Sequence, residues 1–234
     1  MALFQDTPRI TKNLIVINCI VFAATLLNQE LMTRTFALFY PASQLFRWWQ
    51  PVTHLFMHGG FWHLFFNMYT LYIFGCVVER IIGERKFLWL YFICGLGAAA
   101  LHCGVEHLQA MSYLSGIADG TAGATVAYAR LKMIPTVGAS GAIYGILVAY
   151  AMLFPDSRLT LIFPPVTLKA RTMVLIFIGI ELLTGVSGTA EGVAHFAHLG
   201  GALFGFLCIR WWRSKGTLFD REDLHHDRFD NYTR

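Results

Sequence analysis

The chain has 234 residues, of which 56% are hydrophobic and 14% are charged, and its formal net charge is +4. Soluble domains carry about 25% charged residues, so this composition excludes an ordinary soluble enzyme and is typical of a protein with several membrane spans. The small net charge gives no indication of nucleic-acid binding, and we expect no nucleic-acid partner. The five cysteines lie at spacings that match no metal motif, and we interpret them as small hydrophobic residues.

Six apolar segments have a length and composition that predict transmembrane helices. They cover residues 13–29, 61–79, 87–105, 140–154, 172–187 and 193–209. The predicted fold class is therefore all-α, a bundle of six transmembrane helices within residues 13–212. We expect a cytoplasmic segment before it, residues 1–12, and a cytoplasmic tail after it, residues 213–234.

The distribution of lysine and arginine predicts the orientation, because these residues favour the cytoplasmic side. With the N-terminus inside, 14 of the 18 basic residues lie inside. The exceptions are Arg34, Arg47, Arg130 and Lys132. An odd number of spans would destroy this asymmetry. No targeting extension is evident in the sequence, so we expect the inner membrane of a bacterium.

Several polar residues of the apolar segments are predicted to lie at similar depths. The segment from Ser140 to Phe154 is only about 22 Å long as a helix, whereas the hydrocarbon core is about 30 Å thick. Ser140 should therefore begin its helix below the outer surface. Counted from the basic residues at the inner boundary, His198, Asn67 and His63 lie at about 18, 20 and 26 Å. Non-helical backbone at such depth requires a protein interior or a wet cavity.

The residue types at this depth indicate acyl-transfer chemistry. Ser140 opens a helix, whose first N–H groups are free to bind an oxyanion. A serine hydroxyl becomes a nucleophile when a neighbouring base takes its proton, and His198 is the candidate base. His63 and Asn67 are spaced i, i+4 and share one helix face. We assign them to the oxyanion site together with Ser140.

Two pairs of glycines predict close packing of the fourth and sixth segments. Gly141 and Gly145 form one pair, and Gly201 and Gly205 form the other. Small residues at this spacing let membrane helices approach closely. Such packing would bring His198 toward Ser140.

Other interpretations remain open at this point. His195 lies one turn before His198, and depth alone does not exclude it as the base. Glu181, in the fifth segment, could orient a histidine, but it lies below the predicted level of His198, and we favour a structural hydrogen bond for it. Two non-proteolytic functions also fit the pattern: a membrane-protein binding or chaperone factor, and a haem or metal protein using His63, His195 and His198.

The motifs resemble those of the rhomboid intramembrane serine proteases, and the resemblance extends from about residue 13 to residue 212. The matching positions are Gly138-Ala139-Ser140-Gly141, Ala197-His198 with Gly201 and Gly205, His63 with Asn67, Trp49 and Thr53-His54 in the first loop, and Glu79. Gln50 departs from the pattern, since the family often has an arginine there that supports the first loop.

The resemblance implies a six-helix core and a Ser–His dyad without a carboxylate. It implies Ser140 as nucleophile and His198 as general base and acid, because only His198 carries the glycine spacing. His63, Asn67 and the Ser140 backbone would form the oxyanion site, and Gly138, Gly141, Gly145, Gly201 and Gly205 would support it. The expected substrates are transmembrane proteins in the lipid bilayer, cut next to small residues near the outer side. We expect no cofactor and no metal ion.

Overall fold

A computed structural model of the chain describes residues 6–161, 165–186 and 192–218. The described residues are mostly helical. The helices are α1 (Arg9–Leu27), α2 (Gln29–Phe36), α3 (Gln50–Thr53), α4 (Phe61–Thr70), α5 (Cys76–Ile82), α6 (Glu84–Ala118), α7 (Ala124–Leu131), α8 (Ser140–Leu153), α9 (Ala170–Val186) and α10 (Gly192–Ser214). Two short strands, β1 (Arg158–Thr160) and β2 (Thr167–Lys169), pair antiparallel with Leu159 opposite Leu168.

Long helices occupy each of the six segments that the sequence predicts. A π-helical turn, Leu71–Gly75, joins α4 and α5 into one helical stretch. By length and composition, Arg9–Leu27, Phe61–Ile82 and Glu84–Ala118 are suited to cross a membrane, and α8 is apolar but shorter. The prediction of a mostly helical membrane protein is thus confirmed, whereas the count of six spans stays a prediction.

Two features differ from the predicted segments. Helix α6 continues to Ala118, well beyond the predicted end at residue 105, because polar residues end an apolar segment without ending a helix. The connection after α8, which lies between two predicted segments, contains the β1–β2 hairpin. The predicted tails are described only in part, since residues 1–5 and 219–234 lie outside the described ranges.

The start of α1 is fixed by a carboxylate from α5. Glu79 is buried, and its side chain accepts hydrogen bonds from the backbone N–H groups of Ile10 and Thr11 at 2.9 and 2.7 Å. The Thr11 hydroxyl donates to the same carboxylate at 2.7 Å. The first N–H groups of a helix have no intrahelical acceptor, and an acidic group also complements the helix dipole there. Glu79 therefore joins the ends of α1 and α5.

Helices α6, α8 and α10 pack against one another and form the centre of the bundle. The core between them contains large buried side chains such as Phe87, Leu90 and Tyr91 of α6 and Ile146 of α8. Large apolar side chains are also exposed on the outside, including Leu183, which is 74% exposed. An apolar outer surface of this kind fits a lipid environment better than water.

Backbone-to-backbone contact brings α8 and α10 together. A Cβ atom built at Gly201 would lie 1.8 Å from the carbonyl oxygen of Gly141. One at Gly205 would lie 2.5 Å from the carbonyl oxygen of Gly145, and one at Gly145 would lie 2.2 Å from the Cys94 sulfur. Only glycine permits this separation, as is common where membrane helices pack closely.

We predict that Gly201→Ala destabilises the protein by about 3 kcal/mol or more, because the new methyl group forces two backbones apart. Gly104→Ala is the matched control, since a Cβ atom there has no neighbour within 4 Å and alanine favours a helix. Thermal unfolding in detergent measures both variants. Equal melting temperatures for the two variants would contradict the packing argument.

Candidate active site

Ser140 is the first residue of α8 and follows a loop that other parts of the chain hold in place. The N–H of Gly138 donates to the His54 carbonyl at 3.0 Å. Gly138 has φ +134°, a conformation that side chains with a Cβ rarely adopt. The Ile143 N–H donates to the Ala139 carbonyl at 3.0 Å, so the helix begins there. The N–H groups at the start of this turn point out of the helix and are free to bind an anion.

The hydroxyl of Ser140 contacts the ring of His198 across the α8–α10 interface. The Ser140 Oγ and the His198 Nε2 are 2.7 Å apart, which is hydrogen-bond distance. Tyr144, one turn after Ser140, stacks on the His198 ring with centroids 4.5 Å apart and planes within 6°. Ser140 and His198 are both partly exposed. This arrangement can transfer a proton from the serine to the histidine.

His63 of α4 lies next to Gly138. A Cβ atom built at Gly138 would lie 3.0 Å from His63 Cε1 and Nε2 and 3.6 Å from the Ser140 Oγ. The Gly59 N–H donates to His63 Nδ1 at 3.4 Å. An accepting Nδ1 leaves the ring proton on Nε2, the nitrogen that faces Gly138. His63 thus places a donor close to Ser140.

Asn67 lies one turn after His63 and is buried. Its Nδ2 donates to the His63 carbonyl at 2.9 Å. An amide nitrogen has two hydrogens, so one of them is not used by this bond. In this structure the Asn67 amide also fixes the helix turn that carries His63.

Glu181 and His195 join the same cluster, which the depth argument did not predict. Glu181 of α9 accepts hydrogen bonds from the Tyr144 hydroxyl through Oε1 and from His195 Nδ1 through Oε2. The Nδ1 of His198 lies 2.9 Å from Glu181 Oε1, without the alignment of a hydrogen bond. Helix rise locates only a Cα atom, and a glutamate side chain extends about a further turn. The sequence did contain one indication of this cluster. Glu181 is an ionisable residue in an apolar segment, and such a residue usually has a polar partner.

The His195 ring is therefore directed at Glu181, whereas Ser140 contacts His198. Glu181, His195 and His198 also have the composition of a metal site, because one ligand atom from each lies within 4.8 Å of the others. His63, which the metal hypothesis included, does not belong to that group. The carboxylate already accepts two hydrogen bonds, which stabilise it at this buried position.

Gln50 and His54 connect the first loop to the serine loop. Gln50 is 0% exposed. Its Oε1 accepts from the N–H groups of Phe39 and Arg47, and its Nε2 donates to the carbonyls of Arg34 and Leu45, all within 3.4 Å. The loop support that the family often assigns to an arginine is thus provided here by glutamine.

His54 is buried, and its Nδ1 donates to the Gln50 carbonyl at 3.0 Å. Burial lowers the pKa of His54 to about 4, and the hydrogen bond to Gln50 opposes part of this shift. Burial likewise lowers the pKa of His58, also in the first loop, to about 4. Both rings are therefore neutral near pH 7, and protonation of either opposes the folded loop.

Comparison with known proteins shows what kind of protein carries this site. A family model described as the Rhomboid domain matches residues 45–214. The chain belongs to the rhomboid family. Rhomboid protease AarA of Providencia stuartii is 31% identical over 191 residues, which cover 80% of this chain and 64% of that protein.

Mitochondrial rhomboids are also similar to this chain. The presenilin-associated rhomboid-like protein of Mus musculus is 29% identical over 224 residues, 92% of this chain and 52% of that protein. Rhomboid protein 1 of Saccharomyces cerevisiae is 29% identical over 175 residues, 71% of this chain and 42% of that protein. The chain spans between 42% and 64% of the length of these three relatives. They include both bacterial and mitochondrial proteins, so they give no support to the predicted bacterial inner membrane.

We predict that acid weakens the fold through the first loop. The imidazoles of the unfolded chain take a proton near pH 6.5, whereas His54 and His58 resist protonation until about pH 4. Their stabilising effect is thus complete above pH 6.5 and falls as the pH drops from 6.5 to 4. Melting temperatures measured across this range should decrease. His54→Asn keeps a donor for the Gln50 carbonyl and should flatten the decrease, so an equally steep decrease would contradict this assignment.

Proposed function

We propose that this protein is an intramembrane serine endopeptidase that cleaves transmembrane proteins through a dyad of Ser140 and His198. The observation that carries the proposal is the 2.7 Å contact between Ser140 Oγ and His198 Nε2 within a bundle of apolar helices. Membership of the rhomboid family and the similarity to a relative named as a protease support it.

The first half of the reaction forms an acyl-enzyme. His198 Nε2 takes the proton of Ser140, and the Oγ attacks the carbonyl carbon of the scissile peptide bond. Negative charge then develops on the carbonyl oxygen. The backbone N–H groups at the start of α8, His63 Nε2 and the free Asn67 N–H are the proposed donors to this oxyanion. The tetrahedral intermediate collapses as His198 gives its proton to the leaving amine.

The second half of the reaction releases the acyl group. A water molecule gives a proton to His198 Nε2 and attacks the ester carbonyl, and the same donors stabilise the second oxyanion. Ser140 regains its proton when the intermediate collapses. The partial exposure of Ser140 and His198 gives both substrate and water a route to the ester.

The proposal includes the membrane arrangement. We infer six spans within residues 13–212, with both termini cytoplasmic and the site opening toward the outer side. The long helices at the six predicted segments and their apolar outer surface support this arrangement. The substrates are then transmembrane proteins that reach the site from the lipid bilayer, cut next to small residues.

We predict that a fluorophosphonate probe labels the wild-type protein in detergent and that Ser140→Ala and His198→Ala abolish labelling. Both variants should also fail to cleave a single-span membrane substrate while melting like the wild type. His195→Ala is the matched histidine control and should retain labelling, because its ring contacts Glu181 and not Ser140. Substrate capture without a new fragment, unchanged by Ser140→Ala, would instead favour a binding or chaperone factor.

We predict that Asn67→Ala lowers kcat about 100-fold with little change in KM, the usual effect of losing one oxyanion donor. Asn18→Ala is the matched control, because Asn18 is also buried and donates to the carbonyl four residues earlier, that of Leu14, at 2.7 Å. Steady-state cleavage of the substrate in detergent gives kcat and KM for both variants. A similar loss of kcat in both variants would assign Asn67 a structural role only.

A further inference from the structure

Glu181 is a carboxylate held within the helical bundle. It lies in the middle of α9 and is 7% exposed. An acid at such a position is costly unless it has partners. Its partners come from two other helices, Tyr144 from α8 and His195 and His198 from α10. Tyr144 and His195, which lie next to the proposed base His198, thus also orient the Glu181 carboxylate.

The tautomer of His198 determines whether its Nδ1 carries a proton and therefore needs a hydrogen-bond acceptor. A base that accepts the Ser140 proton at Nε2 carries its own ring proton on Nδ1. That Nδ1 is buried and has no hydrogen-bond partner among the described residues. Its neighbour at 2.9 Å is Glu181 Oε1. A small rotation of either side chain would align the two for a hydrogen bond.

Glu181 is the one acidic group among the titratable residues that face His198 in the described part of the chain. The others are His63 from α4, Tyr144 from α8 and His195 on α10. Helix α6 meets this turn of α10, at Gly200, with Gly97, Ala98 and Leu101, which carry no charge. When His198 takes the serine proton, Glu181 is therefore the nearby group that can balance the imidazolium charge.

Tyr144 links the two residues. Its ring stacks on His198, and its hydroxyl donates to the Glu181 oxygen that lies near His198 Nδ1. His195 donates to the other oxygen. These two hydrogen bonds keep the carboxylate beside His198 Nδ1 and resist its rotation away from that ring. Glu181 therefore lies beside the nitrogen of His198 that does not contact Ser140, which is where a residue that orients a base is found.

We propose that Glu181 is a positioning residue that fixes the tautomer of His198 and stabilises its protonated form, so that the dyad acts with an acidic third member. This inference rests on the proposed protease function. The step is a proton transfer only: the proton moves from Ser140 Oγ to His198 Nε2, while the Nδ1 proton stays on His198 and is donated to Glu181.

The test compares full-length wild type and Glu181→Gln in detergent, with cleavage of a single-span substrate measured across pH 5–9. We expect kcat to fall about 10- to 100-fold with KM nearly unchanged, less than the loss for an aligned triad acid. The acid limb of the rate profile should shift to lower pH, because the imidazolium has lost its carboxylate. Glu79→Gln removes another buried carboxylate, 2% exposed, and should leave the limb in place.

Tyr144→Phe provides an independent test with the opposite sign. It keeps the ring that stacks on His198 and removes the hydroxyl that donates to Glu181. The carboxylate then interacts more strongly with the imidazolium, and the acid limb should shift to higher pH. This variant also keeps the proposal testable if Glu181→Gln does not fold.

The outcomes separate this role from the function on which it rests. A folded wild type that neither cleaves substrate nor reacts with a fluorophosphonate probe would overturn both. An active wild type whose acid limb and kcat are unchanged in Glu181→Gln would overturn the positioning role alone. Loss of wild-type activity with EDTA to the level of Glu181→Gln would also overturn it, because the carboxylate would then act as a metal ligand.

Discussion

The contact between the backbones of α8 and α10 is the constraint on which the site depends. Ser140 directly precedes Gly141, and His198 lies one turn before Gly201. A Cβ atom added at Gly201 would lie only 1.8 Å from the Gly141 carbonyl oxygen. The distance between Ser140 and His198, the proposed nucleophile and base, is therefore limited by a helix packing that tolerates no side chain at Gly201. Because a backbone contact has few ways to relax, the packing of α8 and α10 keeps the two side chains within reach of each other, with Ser140 Oγ and His198 Nε2 2.7 Å apart.

The loop before Ser140 is constrained in a different way, by buried hydrogen bonds. Thr136 pairs with Leu38 through both backbone groups, and its hydroxyl contacts His102 Nε2 at 2.6 Å. Gly138 bonds to the His54 carbonyl. A non-helical segment at membrane depth must have its backbone groups satisfied by protein. The first loop provides the backbone partners, Leu38 and His54, and α6 provides His102. The neutral histidines of the first loop and Gln50 therefore contribute to the position of Ser140, although they lie outside the site.

The sequence predicts the positions of the long helices well, because apolar length and glycine spacing act over short stretches of chain. Ser140, His198 and their glycine pairs follow from such local patterns. The contact of Glu181 with His198 does not, since it depends on how α9 rotates against α10 and on a side-chain reach that helix rise ignores. The extension of α6 to Ala118 was missed for a related reason: hydropathy marks the edge of an apolar segment, and helix propensity continues past it.

Glu181 also gives α9 a specific relation to the centre of the bundle. Helices α6, α8 and α10 are joined by extensive packing, whereas α9 packs mainly on α10 and less on α8. Apolar packing in a membrane has no strong preference for one rotation of a helix, because lipid tails are equally apolar. Hydrogen bonds from Tyr144 and His195 to one carboxylate do have such a preference. The rotation of α9 and the environment of His198 are thereby coupled, so a movement of α9 that separated Glu181 from its donors would also change the charge next to His198.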